Sequence, residues 1–358
     1  MKNCQRKCFD AEEIRINILN RLPLESLAKF KCLSKTWRKY IAESYHCRLQ
    51  WPEPYLLSFF CIEKRLQSHF FFSSKESSLL IGAMYIVASS NGFLLCNKLK
   101  SRQRVYYVYN PATRQRLDLP KTRYLMDDPY VGFTCKVYED DSASFTKVRY
   151  AVPVSWENFK VQYHLTIESF SSETNVWTTT NLIVDVPIDL YPSRDMTSST
   201  SSGVVDGIFC WLNYGCMTVY DSVEKRFWVL ELPQRMRMVY PGSCFLGVSG
   251  GESYFATNYW TKTITCWQLN NYHSPDNAVW IWNYAVDVAT IIQNCPVRNN
   301  AFHPALPNML YLQIRSKIIS YDLKTSAAEL VYDFGEAWRK TQHYKLFSYE
   351  WHQWPRLQ

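Results

Sequence analysis

Several groups of residues in this chain have types that could do chemistry, and their spacing decides whether they would. Gly247-Val248-Ser249-Gly250-Gly251 satisfies Gly-x-Ser-x-Gly, which presents a nucleophilic serine when it sits on a strand-to-helix turn of an α/β sheet. Here Phe245-Leu246 precedes it and Tyr254-Phe255 follows, so the sequence predicts strand, tight turn, strand. Asp127-Asp128 and Asp140-Asp141 are carboxylate pairs, but neighbours on a strand face opposite sides, and they read as solvated loop charges. His303, between Phe302 and Pro304, is a single histidine in an apolar setting and is expected to be a satisfied core residue. The chain has no phosphate-binding loop, dinucleotide fingerprint or His-Glu-x-x-His. Catalytic residues and cofactors are therefore expected to be none, and the protein is not expected to be an enzyme.

The 12 cysteines could in principle bind metal. No Cys-x-x-Cys occurs, Cys4 and Cys8 have no second half-site, and Cys47 beside His46 has no paired spacing. Cys96, Cys135, Cys210 and Cys266 lie inside apolar runs, where a thiol serves as a small core residue. They read as free buried thiols of a reducing compartment, with no metal site.

The elements that would position any function fall into two textures. Residues 12–44 read as three short helices, and almost everything later as strands and turns. Ile14, Ile18 and Leu22, with Leu19 beside them, give the first helix an apolar face behind a possible cap at Asp10. Pro23 ends that helix and suits the first turn of the next, which carries Leu24, Leu27, Ala28 and Phe30. Ser34 can cap a third helix bearing Trp37 and Ile41 after Leu33. Helices this short are marginal alone, so the head must pack on something. Residues 1–50 hold 11 of the 40 Lys/Arg and 5 of the 32 Asp/Glu, a net +6 against +2 for the rest, which favours an acidic neighbour.

Within this head, Glu13-Ile14, Ile18-Leu19-x-Arg21-Leu22-Pro23, Leu27, Phe30, Cys32-Leu33-Ser34-Lys35-x-Trp37-Arg38 and Ile41 resemble the F-box. In that family the motif binds the Skp-type adaptor of SCF cullin–RING ubiquitin ligases. The resemblance implies an adaptor-binding face at Ile14, Ile18, Leu19, Leu22, Pro23, Leu27, Leu33, Ser34 and Trp37, some of which would also hold the head together. One departure is visible: the family usually opens with a Leu-Pro pair that contacts the adaptor, and Asp10-Ala11 stands there instead.

Beyond residue 80 a unit recurs, in which a Gly turn leads to an apolar strand, a Tyr/Val/Ile strand ending in Asn, Asp or Ser, and then Trp or Leu-Pro. The clearest copies run from Asn91-Gly92-Phe93 to Leu119-Pro120 and from Gly207-Ile208-Phe209 to Leu232-Pro233. Taking Asn110, Ser169, Asp221 and Asp322 as equivalent turns gives a period near 50, as kelch-like propeller blades require. The fold class expected is mainly β, a kelch-like β-propeller of five or six blades preceded by a small three-helix F-box. Tyr55–Phe60 and His69–Phe72 are strand-like and could pair with residues near the end of the sequence. Asn91-Gly92-x-Leu94-Leu95-Cys96 and Tyr109-Asn110-Pro111-Ala112-Thr113-Arg114 are similar to the F-box-associated domain of plant F-box proteins, and are read here as fold-forming turns.

The expected organisation is therefore 1–50 F-box, 51–80 connecting segment with edge strands, 81–340 propeller and 341–358 tail. The resemblance implies a non-catalytic substrate receptor of an SCF-type ligase. Its partners would be the Skp-type adaptor, through it cullin and RING subunits, and an unidentified target, expected to be a protein. Target-binding candidates on one propeller face are Tyr124–Tyr130, Tyr191–Ser202 and Tyr272–Val279. Two other readings stay open: a scaffold acting outside a ligase, favoured by Asp10-Ala11, and a propeller enzyme with carboxylates in a central cleft. Arg235-Met236-Arg237-Met238 is too small for a nucleic-acid footprint, so no nucleic acid is expected as partner. With no long apolar run, no signal-like N-terminus and no Asn-x-Ser/Thr, the protein is expected to be intracellular, cytoplasmic or nuclear, with no membrane partner.

Overall fold

A computed structural model describes residues 18, 36–37, 58–62, 68–72, 75–80, 85–100, 103–110, 115–124, 126, 130–138, 143–151, 162–185, 204–205, 207–213, 216–233, 244–257, 262–292, 297–333, 335 and 346–349. Its strands form six four-stranded antiparallel sheets. Five are meanders of consecutive strands. The first contains β4 (Tyr85–Ser90), β5 (Phe93–Lys100), β6 (Gln103–Asn110) and β7 (Gln115–Asp118). Next come β8 (Tyr130–Val137), β9 (Ala143–Ala151), β10 (Gln162–Ser171) and β11 (Val176–Asp185). The third has β12 (Val204–Val205), β13 (Ile208–Leu212), β14 (Cys216–Asp221) and β15 (Arg226–Glu231). The fourth has β16 (Cys244–Ser249), β17 (Glu252–Thr257), β18 (Thr263–Asn270) and β19 (Val279–Asp287). In the fifth are β20 (Val297–Phe302), β21 (Met309–Ile314), β22 (Lys317–Asp322) and β23 (Ala328–Asp333).

The sixth sheet joins both ends of this region. β24 (Leu346–Tyr349) pairs with β1 (Ser58–Ile62), which continues to β2 (Ser68–Phe72) and β3 (Lys75–Leu80). The first strands of successive sheets then touch in order, β4 to β8, β8 to β12, β16 to β20, β20 to β24 and β24 back to β4, with β13 meeting β16. That closed ring is a β-propeller. Pairing between the two ends agrees with the sequence reading. The division does not: residues 58–80 and 346–349, set apart there as connector and tail, make a full sheet of the propeller. The reason is that an open meander would leave the β1 edge unpaired.

Stacking sheets face to face buries both sides of each one, so the central strands are continuously apolar instead of alternating. β13 and β14 are buried at every position. Successive residues of β13 serve two cores: Phe209 and Trp211 pack on Tyr130 and Tyr150 of the preceding sheet, while Ile208 and Cys210 pack toward Phe255 and Trp267 of the next. Close approach at the centre demands glycine. A Cβ on Gly132 would run into the Phe209 ring, and one on Gly247 into Phe302.

The turns are built as the sequence suggests. Asn91 and Gly92 both have positive φ, 44° and 78°, and close the β4–β5 hairpin. Asp221 Oδ1 accepts the N–H groups of Val223 and Glu224 at 2.8 and 2.9 Å, and Asp322 Oδ1 does the same for Lys324 and Thr325. The equivalents in the other sheets are Asn110, Ser171 and Asn270, each ending a third strand. Ser169 lies two residues before its true counterpart, because β10 is longer than the average strand.

Candidate binding faces

In an antiparallel meander, successive connections alternate between the two ends of the strands. The inner strands run side by side in the same direction: Cys135 N–H near the end of β8 donates to Ser90 Oγ at the end of β4, and Gly250 N–H after β16 donates to Pro304 O after β20. One face of the propeller therefore carries the short turns, such as Asn91-Gly92, Gly250-Gly251 and the Asp221 and Asp322 turns. The other carries the connections from sheet to sheet. Tyr124 is on this connector face. Tyr272–Val279 links β18 to β19 and belongs to the turn face, so the three loops predicted from sequence do not share a face. Tyr191–Ser202 lies outside the described residues.

The best-defined part of the connector face is 119–124. Leu119 N–H donates to Tyr106 O at 2.9 Å, and Trp177 Nε1–H donates to Pro120 O at 3.0 Å. Arg123 N–H donates to Glu168 Oε1 at 2.9 Å, and Arg149 Nη2 donates to Tyr124 O. Glu168 and Arg149 are themselves cross-strand partners on β10 and β9, joined by Nε to Oε2 at 2.7 Å, and both are fully buried. Beside them Lys147 is also buried, its Nζ 2.8 Å from the centre of the Tyr106 ring and 4.7 Å from that of Trp177. Burial, helped by the neighbouring Arg149 charge and opposed by Glu168, holds the Lys147 ammonium well below its ordinary range.

Sequence patterning missed this cluster for a definite reason. Phe145, Lys147 and Arg149 alternate with Thr146, Val148 and Tyr150, which imitates a strand with one wet face. Two charges at i, i+2 opposite a glutamate on the next strand were the signal available.

The other candidates resolve plainly. Gly247–Gly251 is a strand and tight turn, and Ser249 Oγ donates to His303 O, so the hydroxyl serves the link between two sheets. His303 is buried, and its Nδ1 accepts N–H bonds from Ala305 and Leu306 at 3.0 Å, as a satisfied core histidine should. Cys96, Cys135, Cys210 and Cys266 are buried free thiols, each pushed up to about 12 by burial. Among the described residues no group of His, Cys, Asp or Glu could hold a metal ion. Asp127-Asp128 and Asp140-Asp141 lie outside them.

Of the predicted adaptor face, Ile18 and Trp37 are described. Both are helical, Ile18 being 54% exposed and Trp37 half-buried. Ile14, Leu19, Leu22, Pro23, Leu27, Leu33 and Ser34 lie outside the described residues.

A closed ring of four-stranded antiparallel sheets defines a β-propeller protein. The family model "F-box protein At3g26010-like, beta-propeller" matches residues 59–352, and the F-box domain model matches 12–48. The chain belongs to this family of F-box proteins with a β-propeller. F-box protein At3g26010 of Arabidopsis thaliana is 26% identical over 91% of this chain and 80% of its own length. The putative F-box/kelch-repeat protein At1g15680 of the same plant is 22% identical over 95% and 88%. F-box protein At5g03970 is 30% identical, but that match spans 45% of this chain and only 36% of the relative.

Proposed function

We propose that the chain is the substrate-recognition subunit of an SCF-type cullin–RING ubiquitin ligase. The observation that carries this reading is the co-occurrence of an F-box match at 12–48 and a propeller match at 59–352 in one chain. F-box domains generally bind Skp-type adaptors. The head would dock the adaptor through Ile14, Ile18, Leu19, Leu22, Pro23, Leu27, Leu33, Ser34 and Trp37, and cullin and RING subunits would follow through it. The propeller would hold a target protein, giving its lysines a high effective concentration near the charged conjugating enzyme. The polypeptide itself then performs no bond chemistry. The bonded state of Ser249 and His303 fits that role. The site of action is intracellular.

Co-expression with a Skp-type adaptor, followed by size exclusion, tests the reading. A stable one-to-one complex is expected for the full chain. Leu22→Asp combined with Pro23→Ala abolishes it while leaving the β-type circular dichroism unchanged; a complex that survives both substitutions would sink the assignment. Asp10-Ala11 in place of the usual Leu-Pro favours a second reading, a scaffold outside the ligase. A folded chain that forms no complex would put that reading first.

A further inference from the structure

We infer that the 121–124 segment is a preformed docking element for an acidic segment of a partner protein. The inference rests on the target-receptor reading and names the chemistry of what is received. Thr122 is buried, while Lys121, Arg123 and Tyr124 on either side of it are exposed. Two cations thus reach the surface on either side of one buried residue, where the chain bends at Arg123 and Tyr124. Carboxylates of an acidic segment crossing this bend would meet both.

Neither cation is engaged by a carboxylate among the described residues. Asp118 is bound by Arg116, and Glu168 is turned inward to Arg149 and the Arg123 N–H. Tyr124, 46% exposed, adds a rigid amphipathic ring beside the charges, a residue type favoured at the centre of protein interfaces. Arg123 can take a carboxylate in bidentate fashion.

The segment is also ordered before anything binds. Tyr106 O, the Trp177 indole, Glu168 and Arg149 hold its backbone at Leu119, Pro120, Arg123 and Tyr124. A buried ion pair is weak as a source of stability. Here both partners spend hydrogen bonds on the loop backbone, so the pair works as a pedestal. A loop fixed in this way loses little entropy on binding.

Fluorescence anisotropy on the purified full chain provides the test, with a labelled peptide in which Glu alternates with Ala and Phe, and the same peptide with Gln for Glu. The Glu peptide is expected to bind at least about tenfold tighter, more weakly as salt rises. Lys121→Glu with Arg123→Glu should cut its affinity by about tenfold or more, leaving melting and adaptor binding unchanged, since both side chains are exposed. Arg149→Met with Glu168→Leu, which removes the pedestal as a pair, should weaken the peptide without touching the exposed charges. Equal binding of Glu and Gln peptides, or binding that survives charge reversal, would overturn the inference. So would single-stranded RNA binding tighter than the peptide through the same two residues. Because adaptor binding is read on the same samples, loss of the ligase reading and loss of this one are separately visible.

Discussion

Lys147 is a cation whose titration the fold perturbs strongly. Its folded-state pKa is depressed, chiefly by burial, so the unfolded chain holds a proton that the folded chain lacks between that depressed value and the ordinary 10.5. Stability must therefore rise with pH across that window, by at most about 1.4 kcal/mol per unit, and be level below it. Lys147→Met, which keeps the volume and the contact with the Tyr106 ring, should raise stability near neutral pH and flatten the slope. Urea unfolding of both proteins from pH 7 to 10 measures this, and parallel curves would show that Lys147 does not titrate there. Single residues were unevenly legible in the sequence. The apolar setting of His303 already suggested a satisfied side chain. The burial of Lys147 was not visible, because a charged residue alternating with valine looks the same whether its face meets water or another sheet.

At the scale of elements, neighbouring sheets are latched by tryptophans on the outer strands. Trp177 of β11 donates to Pro120 O after β7, and Trp280 of β19 donates to Glu231 O at the end of β15. Both acceptors lie where a Leu-Pro step leaves the preceding sheet, at Leu119-Pro120 and Leu232-Pro233. Trp177 is buried and packs against Phe170 and Lys147, whereas Trp280 is more open. Trp177→Phe should cost about 1–3 kcal/mol, because a part-buried hydrogen bond is lost together with part of a buried ring, and Trp280→Phe about 1 kcal/mol or less, since water can replace the exposed indole bond. Denaturant midpoints of the two variants decide; an equal loss would mean the latches do not depend on burial. This repeat was the most legible feature of the sequence, because the turn residues and the Leu-Pro exits recur whatever the core contains. Strand lengths were less legible, so the unit containing β10 was placed by Ser169 instead of Ser171. Which end of the propeller a loop occupies was not legible until the strand order was known, and Tyr272–Val279 was grouped with loops of the opposite face for that reason.

At the scale of the molecule, closure depends on four short residues' worth of backbone. β24 supplies the inner strand of the sixth sheet and touches both β4 and β20. Removing residues from 346 onward should leave β1 with a bare edge and the ring open at two contacts. The expected outcome is a protein that aggregates or unfolds without a sharp transition, while proteolysis begins near β1; a truncated chain that melts like the intact one would show that the other sheets close without β24. The arrangement also sets an order of events during synthesis. β1, β2 and β3 are made before any other strand of the propeller, and the partner that completes their sheet is made after all the rest. Until then the nascent protein carries an unsatisfied strand edge at the first-made part of its propeller. A ribosome that stalls anywhere before residue 346 leaves that edge without its partner, a bare template for pairing with another chain.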